Sequence, residues 1–203
     1  MTEPRIGILA VQGGVREHER TLDQLGVAHR QVRRLEHLKG IDGLILPGGE
    51  STTMSRLLEL GGLLEPLREV IAGNLPVYGT CAGMILLANQ VLDTRPDAHQ
   101  LNGLDITVRR NAFGRQVDSF EAELDVTGIE EPVPAVFIRA PWVERVGPDV
   151  QQLATVPDGP AAGAVVAVQQ GNVLATSFHP EVTGDTRIHR YFLSLVARNT
   201  PRL

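Results

Sequence analysis

One stretch decides the expected fold: Pro76-Val77-Tyr78-Gly79-Thr80-Cys81-Ala82-Gly83-Met84-Ile85-Leu86-Leu87. Its first residues are typical of the end of a buried strand, and the apolar, proline-free segment from Ala82 to Leu92 predicts a buried helix. Cys81 would then occupy a sharp turn between Gly79 and Gly83, where small neighbours let a strained nucleophile project and the helix N-terminus stabilises a thiolate. A free cysteine is just as often a small buried apolar residue as a nucleophile, so the turn alone does not decide between these two interpretations of Cys81.

Upstream of this turn, apolar strand patterns alternate with helix patterns. We expect strands over residues 6–11, 29–33, 43–46 and 77–79, and helices over residues 15–25, 52–60 and 63–72. This rhythm predicts a doubly wound, mostly parallel sheet with helices on both faces. Such sheets place their sites at the carboxyl ends of the strands. Three loops follow strand ends here: Gln12-Gly13-Gly14, Pro47-Gly48-Gly49-Glu50-Ser51 and the turn at Cys81.

The second half of the chain has a different character. We expect short strands over residues 104–108, 120–126, 133–138, 151–156, 164–169 and 173–178. Strands that follow one another so closely favour antiparallel pairing, which makes the sheet mixed. Residues 186–198 predict a closing amphipathic helix. Because no linker rich in Pro, Gly or Ser divides the halves, we expect residues 1–203 to form a single domain.

The composition excludes several classes of protein. The formal net charge of −5 argues against a general nucleic-acid binder, because contacts with phosphates need a basic surface. The single cysteine cannot form an internal disulfide, and the N-terminus lacks the apolar stretch of a signal peptide. The chain also lacks the run of about 18 apolar residues that a membrane span needs. We therefore expect a cytoplasmic protein that does not enter a membrane.

Among the six histidines, His179 is placed best to activate a thiol. A thiol nucleophile needs a base within hydrogen-bonding distance and a group that orients the base. His179 follows an apolar strand, and Pro180 favours extended geometry, so His179 and Glu181 would point the same way. We interpret them as base and orienting carboxylate, although a histidine in an ordinary turn is the alternative. The remaining histidines are expected at the surface or, in the final helix, in a structural role: His18, His29, His37 and His99 in the first group, His189 in the second.

The spacing of these residues gives no support to other kinds of site. One cysteine and scattered histidines do not predict a metal site. The run from Gly48 to Thr52 lacks the lysine of a phosphate loop, and no dinucleotide-binding glycine pattern follows a strand, so no cofactor is predicted. The backbone N–H groups of Gly49 and Ala82 are candidates to stabilise an oxyanion, although glycine pairs usually form ordinary turns.

Together these motifs resemble those of the class I, triad-type glutamine amidotransferases, and more narrowly the glutaminase subunits of pyridoxal 5′-phosphate synthase. The blocks that carry the narrower resemblance run nearly from end to end of the chain: Leu9-Ala10-Val11-Gln12-Gly13, Val15-Arg16-Glu17-His18, Leu46 to Met54, Gly79 to Gly83, Arg110 to Glu121, Phe137 to Pro141 and Ser177 to Glu181. The resemblance implies the flavodoxin-like fold of this family, which agrees with the doubly wound sheet expected from the pattern.

The resemblance also implies roles for particular residues. Cys81 attacks the side-chain amide of L-glutamine, His179 transfers the protons, and Glu181 orients His179. The implied glutamine-binding residues are Gly48, Gly49, Glu50, Ser51, Arg110, Ile138 and Arg139. An arginine suits the α-carboxylate of the substrate through a bidentate contact, but the sequence leaves open which arginine provides it.

A partner is implied as well, because ammonia released into water would be lost or protonated. In the family, ammonia passes to a separate synthase subunit of the (β/α)₈ type, which builds pyridoxal 5′-phosphate. The segment from Gln12 to Glu19 is a candidate contact with that subunit. Three alternatives stay open: a glutaminase subunit that serves another pathway, a free-standing cysteine hydrolase, and a non-catalytic binding subunit.

Overall fold

The computed structural model describes residues 4–110, 119–159 and 161–199. The helices are Val15–Gln24 (α1), Ser51–Leu60 (α2), Leu64–Ala72 (α3), Ala82–Leu87 (α4), Pro180–Thr183 (α5) and Arg187–Asn199 (α6). The strands are Arg5–Leu9 (β1), Ala28–Val32 (β2), Gly43–Leu46 (β3), Val77–Thr80 (β4), Ala88–Leu92 (β5), Leu104–Arg109 (β6), Ser119–Leu124 (β7), Val133–Ile138 (β8), Trp142–Val146 (β9), Gln151–Thr155 (β10), Val165–Gln170 (β11) and Val173–Thr176 (β12). A 3₁₀ turn covers Leu35–Leu38.

The centre of the molecule is a mixed sheet with the strand order β2-β1-β3-β4-β12-β11-β9-β6-β5, in which β10 also pairs with β11. The strands β1, β3, β4 and β12 are neighbours and run parallel to one another. Their carboxyl ends therefore meet at one edge of the sheet. A separate antiparallel hairpin is formed by β7 and β8.

Helices cover both faces of this sheet, as predicted. On one face α2, α3 and α4 pack through residues such as Met54, Leu67 and Met84. On the other face α1 and α6 pack through residues such as Leu22 and Phe192. The central strands are buried on both faces, which explains why β1, β3 and β4 are continuous apolar runs. The prediction of a mixed, mostly parallel, doubly wound sheet is confirmed.

One predicted helix is wrong in its second half. The segment from Ala82 to Leu92 was expected to be helical throughout, but α4 ends at Leu87 and Ala88–Leu92 form β5. This strand pairs in parallel with β6 at the edge of the sheet. Strand pairing overrides helix propensity here, because a short apolar run fits either structure and only the tertiary partner decides.

The second half of the chain confirms the predicted antiparallel pairing only in part. The pairs β7–β8, β10–β11 and β11–β12 are antiparallel, but β12 inserts beside β4 in the parallel direction. The prediction also missed β9, whose strand pattern is interrupted by charged residues. Of the block from Arg110 to Glu121, residues 111–118 lie outside the described part of the chain. No helix in the described part is long and apolar enough to cross a membrane.

Candidate active site

Cys81 occupies the turn between β4 and α4 with a φ of 47°, which is a strained conformation for a residue with a side chain. Two glycines make this turn possible. A Cβ on Gly79 would lie 2.6 Å from the backbone carbon of Gly83, and a Cβ on Gly83 would collide with the carbonyl oxygen of Leu46. The N–H of Cys81 donates to the carbonyl of Thr176 at 2.8 Å and ties the turn to β12. The predicted sharp turn is therefore present.

His179 lies at the carboxyl end of β12 and contacts the carboxylate predicted for it. Its Nδ1 lies 2.7 Å from Oε1 of Glu181, and its backbone N–H donates to the carbonyl of Val136 at 2.9 Å. The predicted extended backbone beyond His179 is wrong, because Pro180 begins α5. The fixed φ of proline suits the first position of a helix, so the chain turns there and still brings the carboxylate of Glu181 to the ring.

The surroundings of His179 favour the protonated ring. Burial opposes protonation, but the interactions with Cys81 and Glu181 outweigh burial and raise the pKa of His179 to about 10. Burial favours the neutral form of Glu181, but the imidazoles of His18 and His179 outweigh it and lower the pKa of Glu181. At neutral pH the two side chains therefore form an imidazolium–carboxylate pair.

The glycine loop after β3 lies directly against the ring of His179. A Cβ on Gly48 would collide with Cε1 of that ring, so only glycine fits there without a shift. The loop after β1 holds this glycine loop in place: the N–H of Gly14 donates to the carbonyl of Gly48 at 3.0 Å, and the N–H of Glu50 donates to Oε1 of Gln12 at 2.8 Å. Two of the predicted strand-end loops are thus hydrogen-bonded to each other beside the histidine.

Glu50 and Arg110 lie next to each other at the start of α2. Glu50 is the N-cap of this helix, because its carboxylate accepts from the backbone N–H groups of Thr52 at 3.2 Å and Thr53 at 2.7 Å. Burial alone would raise the pKa of Glu50, but these hydrogen bonds lower it. Arg110 donates to Oε1 of Glu50 and to Oγ1 of Thr52, each at 3.1 Å, and is therefore not a freely solvated charge.

The end of β8 brings Ile138 and Arg139 to the same edge of the sheet. The carbonyl oxygen of Ile138 lies 3.9 Å from the sulfur of Cys81, and the side chain of Ile138 is 45% exposed. Arg139 is exposed and has a φ of 45°, which is uncommon for a residue other than glycine. The strained backbone of Arg139 thus immediately follows the peptide that contacts the sulfur.

Two buried histidines, His18 and His189, lie behind Glu181. The prediction of a solvated His18 is wrong, because this residue is fully buried. Its Nδ1 lies 3.0 Å from Nε2 of His189, and its Nε2 lies 3.6 Å from Oε1 of Glu181. A signal was present in the sequence: His18 follows Val15 by three residues and precedes Leu22 by four, which is the spacing of one helix face.

Chemically, the site combines a thiol, a protonated imidazole and a carboxylate with glycine-rich backbone. Within the described ranges, no group of three or more His, Cys, Asp or Glu side chains is arranged to hold a metal ion. The arrangement of Cys81, His179 and Glu181 is that of a nucleophile, a general acid–base and an orienting group, which suits acyl transfer.

Comparisons with known proteins agree on the family that the chain resembles. Residues 8–198 match the SNO glutamine amidotransferase family. The pyridoxal 5′-phosphate synthase subunit PdxT of Corynebacterium jeikeium is 65% identical over 191 residues, which cover 94% of this chain and 96% of that protein. The PdxT subunit of Nocardia farcinica is 63% identical over 196 residues, which cover 96% of this chain and 87% of that protein. A crystal structure of a glutamine amidotransferase superposes with a TM-score of 0.87 at 46% identity and covers 95% of this chain and 98% of its own.

Proposed function

Because the chain belongs to the SNO glutamine amidotransferase family, we propose that it hydrolyses L-glutamine to L-glutamate and ammonia at Cys81. The observation that carries this proposal is the meeting of two distant parts of the chain, one with Cys81 and one with His179 and Glu181. The turn at Cys81, the end of β12 at His179 and the start of α5 at Glu181 converge at one edge of the sheet. A nucleophile, its base and an orienting carboxylate are the minimal set for cleaving an amide through a thioester.

The reaction runs in two stages. Nε2 of His179 takes the proton of the Cys81 thiol, the sulfur attacks the side-chain amide carbon of glutamine, and the ring donates that proton to the leaving amine, so that ammonia departs and a thioester remains. His179 then takes a proton from water, the hydroxide oxygen attacks the thioester carbon, and glutamate leaves as the ring returns the proton to the sulfur and restores the thiol. Nδ1 of His179 faces Glu181, so Nε2 is the nitrogen that exchanges these protons.

The negative oxygen of each tetrahedral intermediate needs hydrogen-bond donors. The N–H of Ala82, directly after the nucleophile, and the N–H of Gly49 in the adjoining loop are the donors that we assign to it. The carbonyl of Gly48 accepts from the N–H of Gly14, so the orientation of the Gly48–Gly49 peptide depends on the loop that opens α1. A protein that docks on this loop would therefore act on the oxyanion hole.

The glutamine pocket is formed by the residues around Glu50 and the end of β8: Gly48, Gly49, Glu50, Ser51, Arg110, Ile138 and Arg139. The carboxylate of Glu50 is half-exposed and suits the α-ammonium group of the substrate. A surface depression beside Glu50 is lined by Arg56, Arg95 and Arg110, so positive charge is available there for the α-carboxylate. Arg110 is the best placed of the three, because it already contacts Glu50 and Thr52.

We infer that the ammonia passes to the synthase subunit of pyridoxal 5′-phosphate synthase; the names of the two curated relatives reported above, both subunits of that enzyme, support this. The exposed apolar side chains of Ile138 and Val182, beside the triad, support a docking surface there together with residues 12–19. We also propose that residues 1–203 form a single domain, since strands from both halves of the chain share one sheet. The cytoplasmic location expected from the sequence stays a prediction.

The test is glutamate release from L-glutamine, measured with and without the synthase subunit. The proposal predicts little glutamate from the chain alone, a large increase when the subunit is added, and none with Cys81→Ala in the complex. Release without the partner and without preference for glutamine over simple esters would indicate a free-standing cysteine hydrolase. If a synthase of a different ammonia-dependent pathway activates glutamate release, and the pyridoxal 5′-phosphate synthase subunit does not, the protein is the glutaminase subunit of that other pathway.

A further inference from the structure

Two imidazoles contact the same oxygen of Glu181. Nδ1 of His179 lies 2.7 Å from Oε1, and Nε2 of His18 lies 3.6 Å from the same atom. Oε2 of Glu181 is buried and has no hydrogen-bond partner among the described residues. Apart from its own helix, the carboxylate is therefore held through Oε1, and His18 is the contact on that oxygen that the proposed mechanism does not use.

Behind His18 lies a second buried ring that determines its tautomer. Nδ1 of His18 lies 3.0 Å from Nε2 of His189, and Nδ1 of His189 is buried without a partner among the described residues. If His189 carries its proton on Nε2, it donates to His18, and the N–H on Nε2 of His18 faces Glu181. The opposite arrangement would bury an unpaired N–H on His189 and turn a lone pair of His18 toward the carboxylate, and both cost free energy.

The surroundings of His18 favour this neutral, donating ring. An N–H on Nε2 of His18 has two oxygens in front of it, Thr80 Oγ1 at 3.3 Å, which is its hydrogen-bond partner, and Oε1 of Glu181 at 3.6 Å. Tyr78 packs edge-on against the rings of both His18 and His189. Burial lowers the pKa of His18, and the charge of His179 lowers it further, whereas the carboxylates of Glu181 and Glu17 act in the opposite direction. Burial and the neighbouring His18 lower the pKa of His189 to about 3. Both rings are therefore uncharged at neutral pH.

We propose that His18 is a positioning residue of the catalytic triad: its Nε2–H, hydrogen-bonded to Thr80 Oγ1 at 3.3 Å and directed also at Oε1 of Glu181 at 3.6 Å, keeps the carboxylate in the orientation that serves His179. This inference rests on the proposed glutaminase function. His18 lies on the first turn of α1, directly after the loop of Gln12 to Gly14 that hydrogen-bonds to the Gly48–Glu50 loop. The start of α1 and the loop before it thus contact both the Gly48–Glu50 loop and the carboxylate of Glu181. A partner that binds to this segment could therefore affect both.

The experiment compares three substitutions of His18 in the complex with the synthase subunit. His18→Leu removes both nitrogens, His18→Gln places an amide N–H near the position of Nε2, and His18→Asn places one near the position of Nδ1. We expect His18→Leu and His18→Asn to lower kcat about tenfold with KM within about twofold, because Glu50 and Arg110 are untouched. His18→Gln is expected to recover most of the loss, to within about threefold of the wild type.

His29→Gln is the matched control, because His29 contacts the exposed carboxylate of Asp23 on the far side of α1 from the triad contacts described here. It is expected to leave kcat unchanged. Thermal unfolding and binding to the synthase subunit are recorded for every variant. If His18 served only the packing of α1, activity would follow the loss of stability, and His18→Gln would not stand apart from His18→Asn.

A double-mutant cycle with Glu181→Gln decides whether His18 acts through the carboxylate. If it does, His18→Leu changes kcat by less than about twofold in the Glu181→Gln background, because the group that it positions is already lost. A full tenfold loss in that background would overturn the inference, as would equal activity of all three His18 variants and the wild type. A wild-type complex that releases no glutamate would overturn the proposed function as well, whereas an active wild type with unaffected variants contradicts His18 alone.

Discussion

His179 and His18 face the same carboxylate oxygen, yet at neutral pH His179 is protonated and His18 is neutral. The pKa of His179 is raised to about 10, whereas the pKa of His18 is lowered. Both rings are largely buried, with side-chain exposures of 13% and 0%, so burial alone does not separate them. The difference lies in what acts against burial: the interactions with Cys81 and Glu181 outweigh it at His179, whereas at His18 burial, together with the charge of His179, outweighs the carboxylates of Glu181 and Glu17.

This comparison shows how one buried carboxylate can serve two rings. The negative charge of Glu181 stabilises a single proton on the catalytic side, where the site opens toward substrate. On the interior side, a second positive charge would lie near that of His179, and burial makes it costly. In the mechanism that we propose, His18 supports the carboxylate as a neutral donor, His189 fixes the tautomer of His18, and His179 acts as an acid and a base.

The largest expected effect comes from removing the sulfur. Cys81→Ala should lower glutamate release by at least about 10⁴-fold, because the covalent route is lost, while binding to the synthase subunit persists. It should also lower the pKa of His179 from about 10, because one of the two groups that favour its protonation is gone. Glutamate release in the complex, an isothermal binding titration and an NMR titration of the His179 ring measure the three outcomes. Substantial residual turnover would show that another group performs the attack.

Removing the charge of the shared carboxylate should cost less. Glu181→Gln is expected to lower kcat about 100-fold or more, because the ring of His179 loses its orientation and its protonated form loses support, while the nucleophile remains. The pH profile of kcat should change together with the rate. A variant with the wild-type rate and profile would mean that His179 does not depend on Glu181.

Crowding the catalytic ring alone should have an intermediate effect. A methyl group at Gly48 would collide with Cε1 of His179, whereas one at Gly49 would first meet the flexible side chain of Gln12. Gly48→Ala is therefore expected to lower kcat on the order of tenfold to 100-fold, and more than Gly49→Ala does. Steady-state rates of the two variants in the complex give the comparison. The reverse order would show that the contact of Gly48 with the ring does not control the reaction.

The smallest effect concerns stability at acid pH. The pKa values of His18 and His189 are lowered in the folded protein, so below pH 6.5 the unfolded chain binds protons that the folded protein does not. The free energy of unfolding should therefore fall with decreasing pH by up to about 1.4 kcal/mol per pH unit for each histidine. His179 has the opposite sign: its contribution is complete below pH 6.5 and is lost as the pH rises through about 10.

Urea unfolding of the wild type and of His189→Gln between pH 5 and pH 6.5 measures the acid effect. Unfolding of the variant should take up about one proton fewer than unfolding of the wild type. The slope of the free energy of unfolding against pH that the two histidines produce should therefore fall by about half. An unchanged slope would indicate that His189 is already charged in the folded protein.

The parts of the site that follow strand ends could be predicted from the sequence. Cys81, His179 and the loop at Gly48 each stand directly after an apolar run, and parallel strands place such residues at one edge. The start of α5 at Pro180 does not follow from this pattern, because a proline restricts the backbone of the residue before it, His179, and leaves the residues after it free to form a helix. The pattern does not predict the strand β5, because Ala88–Leu92 pair with β6, which begins only at Leu104, and the local apolar run does not contain that information.

The buried pair of His18 and His189 shows a different limit. Residue type predicts a solvated His18 and a structural His189, whereas the spacing of His18 from Val15 and Leu22 places it on the buried face of its helix. Their contact joins α1 to α6 across 171 positions of sequence. Such a pairing follows from the packing of two helices on one face of the sheet, and neither segment indicates it alone.

The protonation of the rings around Glu181 can be measured directly. Long-range ¹⁵N–¹H spectra of the ¹⁵N-histidine-labelled protein distinguish an imidazolium from the two neutral tautomers, and His179→Gln, His18→Gln and His189→Gln assign the signals. At pH 7.5 the account predicts a protonated His179 that titrates near pH 10, together with neutral His18 and His189 that carry their protons on Nε2. A neutral His179 at that pH, or a charged His18, would contradict the division of charge on which the account depends.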